Sequence, residues 1–398
     1  MAERPLRLGV AGLGRAFGIM LPTLERDPRI ELVAAADPRP EATRKFAEEF
    51  GGRTYETTAA LCADPDVEAI YVATPHERHA EDAIVAAERG KHVLVEKPMA
   101  ISLAQASAMI EAAERAGTAL VVGHSHGFDR PVRRARELVE RGDFGAVRMI
   151  HAQYYTDFLY RPRRAEELVT EKGGGVVFSQ GAHQVDIVRL LGGGRVARVR
   201  AATGAWDAAR PTEGAYAALL TFAGGAFASL VYSGYAHFDG DEFCGGVSEL
   251  GHPKSPDAYG GARRSLQRAA SDTEEAALKM ARNYGGAEHG RRKADRALAP
   301  SHEHFGFVLV SCDRADLRPL PAGVMIYGDG EASLEPLPGP RVPRAEVIDE
   351  LHAAVRRGRA PLHDGRWGMA TLEVCLAILA SARSASDVVL QHQVGVPS

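Results

Sequence analysis

Several groups of residues have the types and spacing to do chemistry. Gly12-Leu13-Gly14-Arg15-Ala16-Phe17 follows a short apolar run. Gly12 permits a tight strand-to-helix turn and Gly14 lets the backbone approach a pyrophosphate. Arg15, Ala16 and Phe17 then open a helix, whose N–H groups and positive dipole end suit phosphate. The third glycine of G-x-G-x-x-G is displaced here, with Phe17 in its place and Gly18 after it. Asp37 closes the next apolar run, where a carboxylate accepts hydrogen bonds from adenosine ribose hydroxyls and repels a 2′-phosphate. That favours NAD, while Arg39 beside it could hold the phosphate and leaves NADP open. Thr74-Pro75-His76 ends a further apolar run and either lines the cofactor groove or is only a turn.

Lys97, in Glu96-Lys97-Pro98, stands at the carboxyl end of another strand-like run, where ligands bind in such sheets. An ammonium there lowers an alcohol's pKa, though Lys-Pro is also a common surface turn. His183 lies in a helical stretch after Gly173-Gly174-Gly175 and can act as a base near neutral pH. On an α-helix Ser179 would be its i−4 neighbour and Asp186 its i+3 neighbour. Tyr154–Arg164 combines aromatics with three arginines, a pairing suited to a flat carboxylated ring or to a solvated loop. His302-Glu303-His304 and the pair His124 and His126 have the alternate spacing of metal ligands. Without a clear third ligand neither makes a site, and no metal is expected.

The elements that must position these residues alternate. Strand-like runs at 6–11, 30–36, 69–73, 92–95 and 120–123 interleave with helical patterns at 15–26, 40–50, 77–89 and 102–116. Such alternation predicts a parallel sheet with helices on both faces, the α/β Rossmann arrangement. After about residue 125 the rhythm changes to a helix near 131–141, a strand at 147–155 and a helix near 180–191. Strands at 195–205, 214–222 and 226–232 follow, which reads as a mainly antiparallel open sheet in an α+β domain. Residues 239–304 are polar, with one helical stretch near 272–283. Strands at 305–311 and 324–327 and helices near 343–357 and 366–384 finish the chain. We expect a cofactor-binding domain over 1–125 and a substrate-binding and oligomerisation domain over 126–398, with 239–304 as an insertion in the second.

Composition narrows the classes. The 398 residues carry 48 Lys plus Arg and 52 Asp plus Glu, a net charge of −4, which gives no electrostatic reason to expect nucleic acid or a membrane surface. No run approaches the roughly 18 apolar residues of a spanning helix, and the N-terminus lacks a signal-peptide layout. Four scattered cysteines fit reduced core thiols. A cytoplasmic protein with a small-molecule substrate is expected.

The glycine loop, Glu96-Lys97-Pro98 and the segment Gly173–His183 together resemble the Gfo/Idh/MocA family of oxidoreductases over nearly the whole chain. The resemblance implies that Lys97 touches both substrate and nicotinamide, with Glu96 beside it, and that His183 is the catalytic acid/base. The family's aspartate falls on Ser179, so one group usual in polyol dehydrogenases is absent. The insertion, Tyr154–Arg164 and Phe178–Asp186 look like the branch that oxidises 4,5-dihydro-4,5-dihydroxyphthalate to the catechol. His126, Tyr155, Asp157, Arg161, Arg163, Ser179 and Gln180 are the substrate contacts this reading expects. It also implies a homodimer or homotetramer through the C-terminal sheet. A sugar or cyclitol dehydrogenase and a non-catalytic cofactor-binding regulator are the alternatives.

Overall fold

The computed structural model describes residues 3–289 and 297–397. Residues 290–296, inside the 239–304 insertion, lie outside the described residues. Six parallel strands form the first sheet: β1 (Leu6–Ala11), β2 (Ile30–Ala36), β3 (Arg53–Tyr55), β4 (Ala69–Val72), β5 (His92–Val95) and β6 (Leu120–Val122). Their order is β3-β2-β1-β4-β5-β6, so the winding reverses between β1 and β4. That reversal is the topological switch point at which open α/β sheets bind ligands. Every residue of β4 is buried, as expected of strands covered on both faces. The connecting helices begin and end on recognisable signals. Ser102 accepts from the Gln105 N–H to cap Leu103–Ala116, and Gly117 ends that helix in the left-handed region.

The second sheet contains β7 (Val147–Tyr155), β8 (Val196–Gly204), β9 (Ala215–Phe222), β10 (Phe227–Ser233), β11 (Phe307–Cys312), β12 (Ala315–Leu320), β13 (Gly323–Gly328), β14 (Ala332–Pro336) and β15 (Val388–Val389). Its order is β14-β13-β12-β11-β7-β10-β9-β8-β15. All pairs are antiparallel except β10 with β7, which run parallel. Alternation along the strands sends Ile150, Ala152, Tyr154, Tyr216, Ala218, Leu220, Leu230 and Tyr232 into the core. The fully buried helix Ala182–Leu191 is pinned to that face: Gln184 accepts from the Tyr216 hydroxyl at 2.8 Å and donates to the Val231 carbonyl at 3.3 Å. The opposite face exposes Met149, Leu219 and Phe227.

The chain clusters into two compact units. One comprises the described residues of Met1–His124, Ala276–Leu298 and Val342–Met369; the other those of Ser125–Glu275, Ala299–Arg341 and Ala370–Ser398. Packing explains the late returns to the first unit. Asp364 bridges Val121 of β6, and Trp367 is 2% exposed. Tyr284, inside the insertion, lies edge-on to Phe17 at 5.0 Å and donates to Glu49 at 2.6 Å. Cys62, Cys244 and Cys375 are buried and Cys312 half-buried, with no disulfide among the described residues.

Candidate active site

In the first unit, the loops leaving β1, β4 and β5 carry the expected cofactor residues. Gly12 has φ +93°, and a Cβ there would sit 2.7 Å from the Ala73 carbonyl oxygen. The loop must therefore pass this close to the end of β4, which only glycine allows. Gly14, with φ −82°, has nothing within 4 Å of a built Cβ. It caps the helix Arg15–Arg26 without any side-chain hydrogen bond. An open glycine position at an uncapped helix N-terminus fits a pyrophosphate. Phe17 is fully buried against Phe46 and Tyr284, so this position offers its backbone and not its ring.

Asp37, expected to meet the ribose, also has partners within the chain. Its Oδ2 accepts the Leu13 N–H at 2.8 Å and Arg39 Nη2 at 3.0 Å, while Oδ1 accepts Arg39 N and Nε, each at 2.9 Å. Those four donors fill the acceptor capacity of a carboxylate. Asp37 thus holds the glycine loop, and a ribose hydroxyl would have to displace Arg39 to reach it. Arg39 is itself pinned by the Leu13 and Tyr284 carbonyls at 2.7 and 3.2 Å. The pairing shields the guanidinium charge that a 2′-phosphate would seek.

Thr74-Pro75-His76 and Glu96-Lys97-Pro98 are joined by a residue the sequence did not mark. Buried His79 places one ring nitrogen 2.8 Å from the Thr74 carbonyl and the other 2.8 Å from the Pro98 carbonyl. Burial pushes its pKa down. Glu96 accepts from the Tyr71 hydroxyl at 2.6 Å, and burial raises its carboxyl. Glu96 therefore packs inward, while the half-buried Lys97 follows it at the end of β5.

In the second unit, the glycine run serves Glu213. A Cβ on Gly175, whose φ is +79°, would lie 2.0 Å from Glu213 Oε1. That carboxylate accepts the Val177 N–H at 3.2 Å and the Thr212 hydroxyl at 3.1 Å, and also bonds Thr170. It thereby fixes the start of a π-helical turn, Val177–Gly181, that leads into Ala182–Leu191. The turn replaces the α-helical i−4 relation expected between Ser179 and His183, because π bonding spans five residues. Asp186 bonds the Ser125 hydroxyl and accepts from Thr371 at 3.4 Å.

His183 sits in an aromatic cluster centred on Phe305. The Phe305 ring lies 5.0 Å from the rings of His183, His126 and Tyr154, and stacks at 6.1 Å on Tyr232. His126 and His183 meet edge to face at 4.7 Å. His126 Nδ1 lies 2.6 Å from Asp129 and Nε2 3.4 Å from Glu249. Although burial opposes it, the two carboxylates raise His126 to about 10, so the ring is held as imidazolium. Glu303 brings a carboxylate oxygen within 4.8 Å of the His126 and Asp129 atoms. His302 and His304 each set a ring nitrogen on a carbonyl, of Pro338 at 2.9 Å and Val247 at 2.8 Å, which occupies them structurally.

Strand alternation corrects one expected contact. Tyr155 points to the other face of β7, where its ring meets Phe238 at 5.9 Å. Tyr154 is the inward residue, donating to Asp241 at 2.6 Å beside Phe305. Gln180 accepts from the Tyr232 hydroxyl at 3.3 Å, and Asp157 pairs with Arg161 at 3.7 Å. Arg163 lies 3.6 Å above the Phe158 ring, with Arg161 at 5.5 Å from the same ring. Tyr154, Tyr232, Phe305 and Glu249 were missed. Only Tyr154 carried a usable signal, the period of two along β7.

Known proteins resemble this chain in sequence and in fold. Residues 6–124 match the oxidoreductase family with an NAD-binding Rossmann fold, and residues 132–244 match the GFO/IDH/MocA C-terminal domain. The 1-carboxy-3-chloro-3,4-dihydroxycyclohexa-1,5-diene dehydrogenase of Comamonas testosteroni is 47% identical over 381 residues, covering 95% of each chain. A solved structure from Bordetella bronchiseptica RB50, assigned as a dehydrogenase, superposes with a TM-score of 0.90 at 42% identity, covering 97% of this chain and 100% of that one. The WlbA dehydrogenase of Bordetella pertussis, solved with NADH and UDP-GlcNAcA, shares the fold at 21% identity and a TM-score of 0.67 over 98% and 99% of the two chains.

Proposed function

Because the chain belongs to the GFO/IDH/MocA family of NAD-binding oxidoreductases, we propose that it oxidises a carboxylated aromatic cis-dihydrodiol to the catechol. This is the class that includes 4,5-dihydro-4,5-dihydroxyphthalate. The observation that carries the reading is the 47% identity, across 95% of both chains, to a dehydrogenase of a carboxylated dihydroxycyclohexadiene. The aromatic wall around His183 and the arginines beside Phe158 support it.

The backbone N–H groups of Arg15 and Ala16, with Gly12 and Gly14, would hold the dinucleotide's pyrophosphate. Bound NAD supplies the hydride acceptor. Neutral His183 takes the proton of the reacting hydroxyl, and Lys97 stabilises the developing alkoxide. The ketone then moves its ring proton to oxygen and becomes the catechol, so the substrate has lost one hydride and one proton in all. Aromatisation makes this direction strongly downhill. That gain lets the reaction proceed with serine at 179 in place of aspartate.

A substrate panel tests the reading. With NAD and NADH absorbance as readout, carboxylated dihydrodiols are expected to turn over, and myo-inositol and hexoses to give less than about a tenth of that kcat/KM. Turnover of polyols without any dihydrodiol turnover overturns the proposal, and cofactor binding without any turnover points to a regulator.

The open sheet face is proposed as a contact between copies of the chain. Phe227 pairs with Met149 in register, and Leu219 lies one row away opposite Ser229, giving an exposed apolar patch. Light scattering should give a mass at a multiple of 42.6 kDa. Leu219→Asp with Phe227→Asp should bring it to one chain, and an unchanged mass would exclude this face. No helix among the described residues is long and apolar enough to cross a membrane. The scattered cysteines, with no disulfide among the described residues, support a proposed cytoplasmic location.

A further inference from the structure

Two guanidiniums share the Phe158 ring, yet their surroundings differ. Arg161 has acids around it: Asp157 lies 3.7 Å from its Nε, and the Glu249 carboxylate acts on it more strongly than any other group that stabilises its charge. Arg163 makes no ion pair among the described residues. Its Nη2 donates to the Phe158 carbonyl at 2.8 Å, and its Nε is buried without a hydrogen-bond partner. The nearby acid Glu275 is committed elsewhere. Glu275 Oε1 accepts the Arg163 backbone N–H at 2.6 Å, and both its oxygens take Arg210 Nη1 at 2.8 and 3.0 Å. Burial, with repulsion from Arg161 and Arg210, pulls the Arg163 guanidinium down to about 10 against the attraction of Glu167. A buried donor left unsatisfied is costly, as is a buried cation whose nearest counter-charge, Glu167, makes no ion pair with it, and one carboxylate relieves both.

The location suits a substrate contact. The Tyr232 hydroxyl feels both guanidiniums and bonds Gln180, three residues before His183. The Tyr232 ring stacks on Phe305, which touches His183. We propose that Arg163 is the anion-reading residue of the substrate site, that it takes a single carboxylate, and that Glu249 turns a second one away. The proposal rests on the dihydrodiol reading and narrows it to one-carboxylate substrates. Glu249 comes from the insertion. It lies 3.4 Å from His126 and is 22% exposed at its side chain. Although burial raises its pKa, His126 and Arg161 hold it at about 2. It is therefore an anion throughout the working range, and it already occupies the field of Arg161. A second substrate carboxylate would meet Glu249 where it sought a guanidinium.

The catechol products are stable, so binding can be read without turnover. The NADH-loaded protein is titrated calorimetrically with catechol, 3,4-dihydroxybenzoate and 4,5-dihydroxyphthalate, which carry none, one and two carboxylates. The one-carboxylate ligand should bind about 10- to 100-fold more tightly than either other, the span of a charge-assisted hydrogen bond. Arg163→Gln should remove that advantage while moving catechol affinity less than about threefold, and Arg163→Lys should keep part of it. Glu249→Gln should tighten the two-carboxylate ligand by about tenfold or more relative to the one-carboxylate ligand. NADH affinity and near-UV circular dichroism establish that each variant is folded. Tighter binding of the dicarboxylate by the unmutated protein, or equal losses for all three ligands in Arg163→Gln, overturns the proposal and leaves the dihydrodiol reading standing. Failure of all three ligands to bind, with polyol turnover in the substrate panel, overturns both.

Discussion

His183→Ala is expected to lower kcat on a carboxylated dihydrodiol by about 10²- to 10⁴-fold, the usual contribution of a positioned general base. The argument is local. His183 follows a π-helical turn whose start is fixed by Glu213, and its helix is tied to β9 and β10 through Gln184. The imidazole is thus delivered by a rigid element to the Phe305 cluster, against the His126 imidazolium. Truncation removes the ring and leaves Gln184 and its anchors in place. NAD affinity, set in the first unit, should change less than about twofold, and the loss should appear in kcat more than in KM. Stopped-flow NADH absorbance reads the effect. A fall of less than about tenfold would mean that another group takes the hydroxyl proton.

The fold was legible where burial is simple. β1, β2, β4, β5 and β6 are apolar runs ending in glycine or a polar loop, and covering both faces of a parallel sheet imposes that pattern. β3, Arg53–Tyr55, carries no such signal because two of its three residues are exposed. β12 and β14 were also missed: Pro319 lies beyond the residues that β12 pairs with β11, and Pro336 lies in the edge strand β14, so each lost N–H donor is tolerated. The site was legible only in part. Glycines announce themselves because backbone geometry demands them. The contacts of Asp37 with the Leu13 N–H and Arg39 were not legible, because residue type does not say which donors its oxygens meet. The alternation of β7 decides between Tyr155 and Tyr154 and sends Tyr154 into the core. Glu249 had no signal at all, since a polar insertion has no periodicity that tells which carboxylate reaches His126.

Gly12→Ala and Gly14→Ala are expected to fail in different ways. Gly12 combines φ +93° with a Cβ position 2.7 Å from the Ala73 oxygen and 2.9 Å from the Thr74 nitrogen. A methyl there strains the backbone by about 1–3 kcal/mol and pushes on the segment that opens Thr74-Pro75-His76. Because His79 ties the Thr74 carbonyl to the Pro98 carbonyl, the displacement reaches the loop that carries Lys97. Gly12→Ala should therefore lower both thermal stability and NAD affinity, the affinity by roughly tenfold or more for each 1.4 kcal/mol transmitted. Gly14 has an ordinary negative φ and open space around its Cβ. Alanine there costs the folded chain nothing, and the smaller entropy of the unfolded chain should leave stability unchanged or raised by up to about 1 kcal/mol. If that space is where the pyrophosphate approaches the backbone, Gly14→Ala should still weaken NAD by about tenfold or more, with the melting temperature held. Differential scanning fluorimetry with and without NAD separates the two. Full NAD affinity in Gly14→Ala would show that the cofactor does not use the space in front of this helix, and the assignment of Arg15 and Ala16 as its pyrophosphate donors would fall with it.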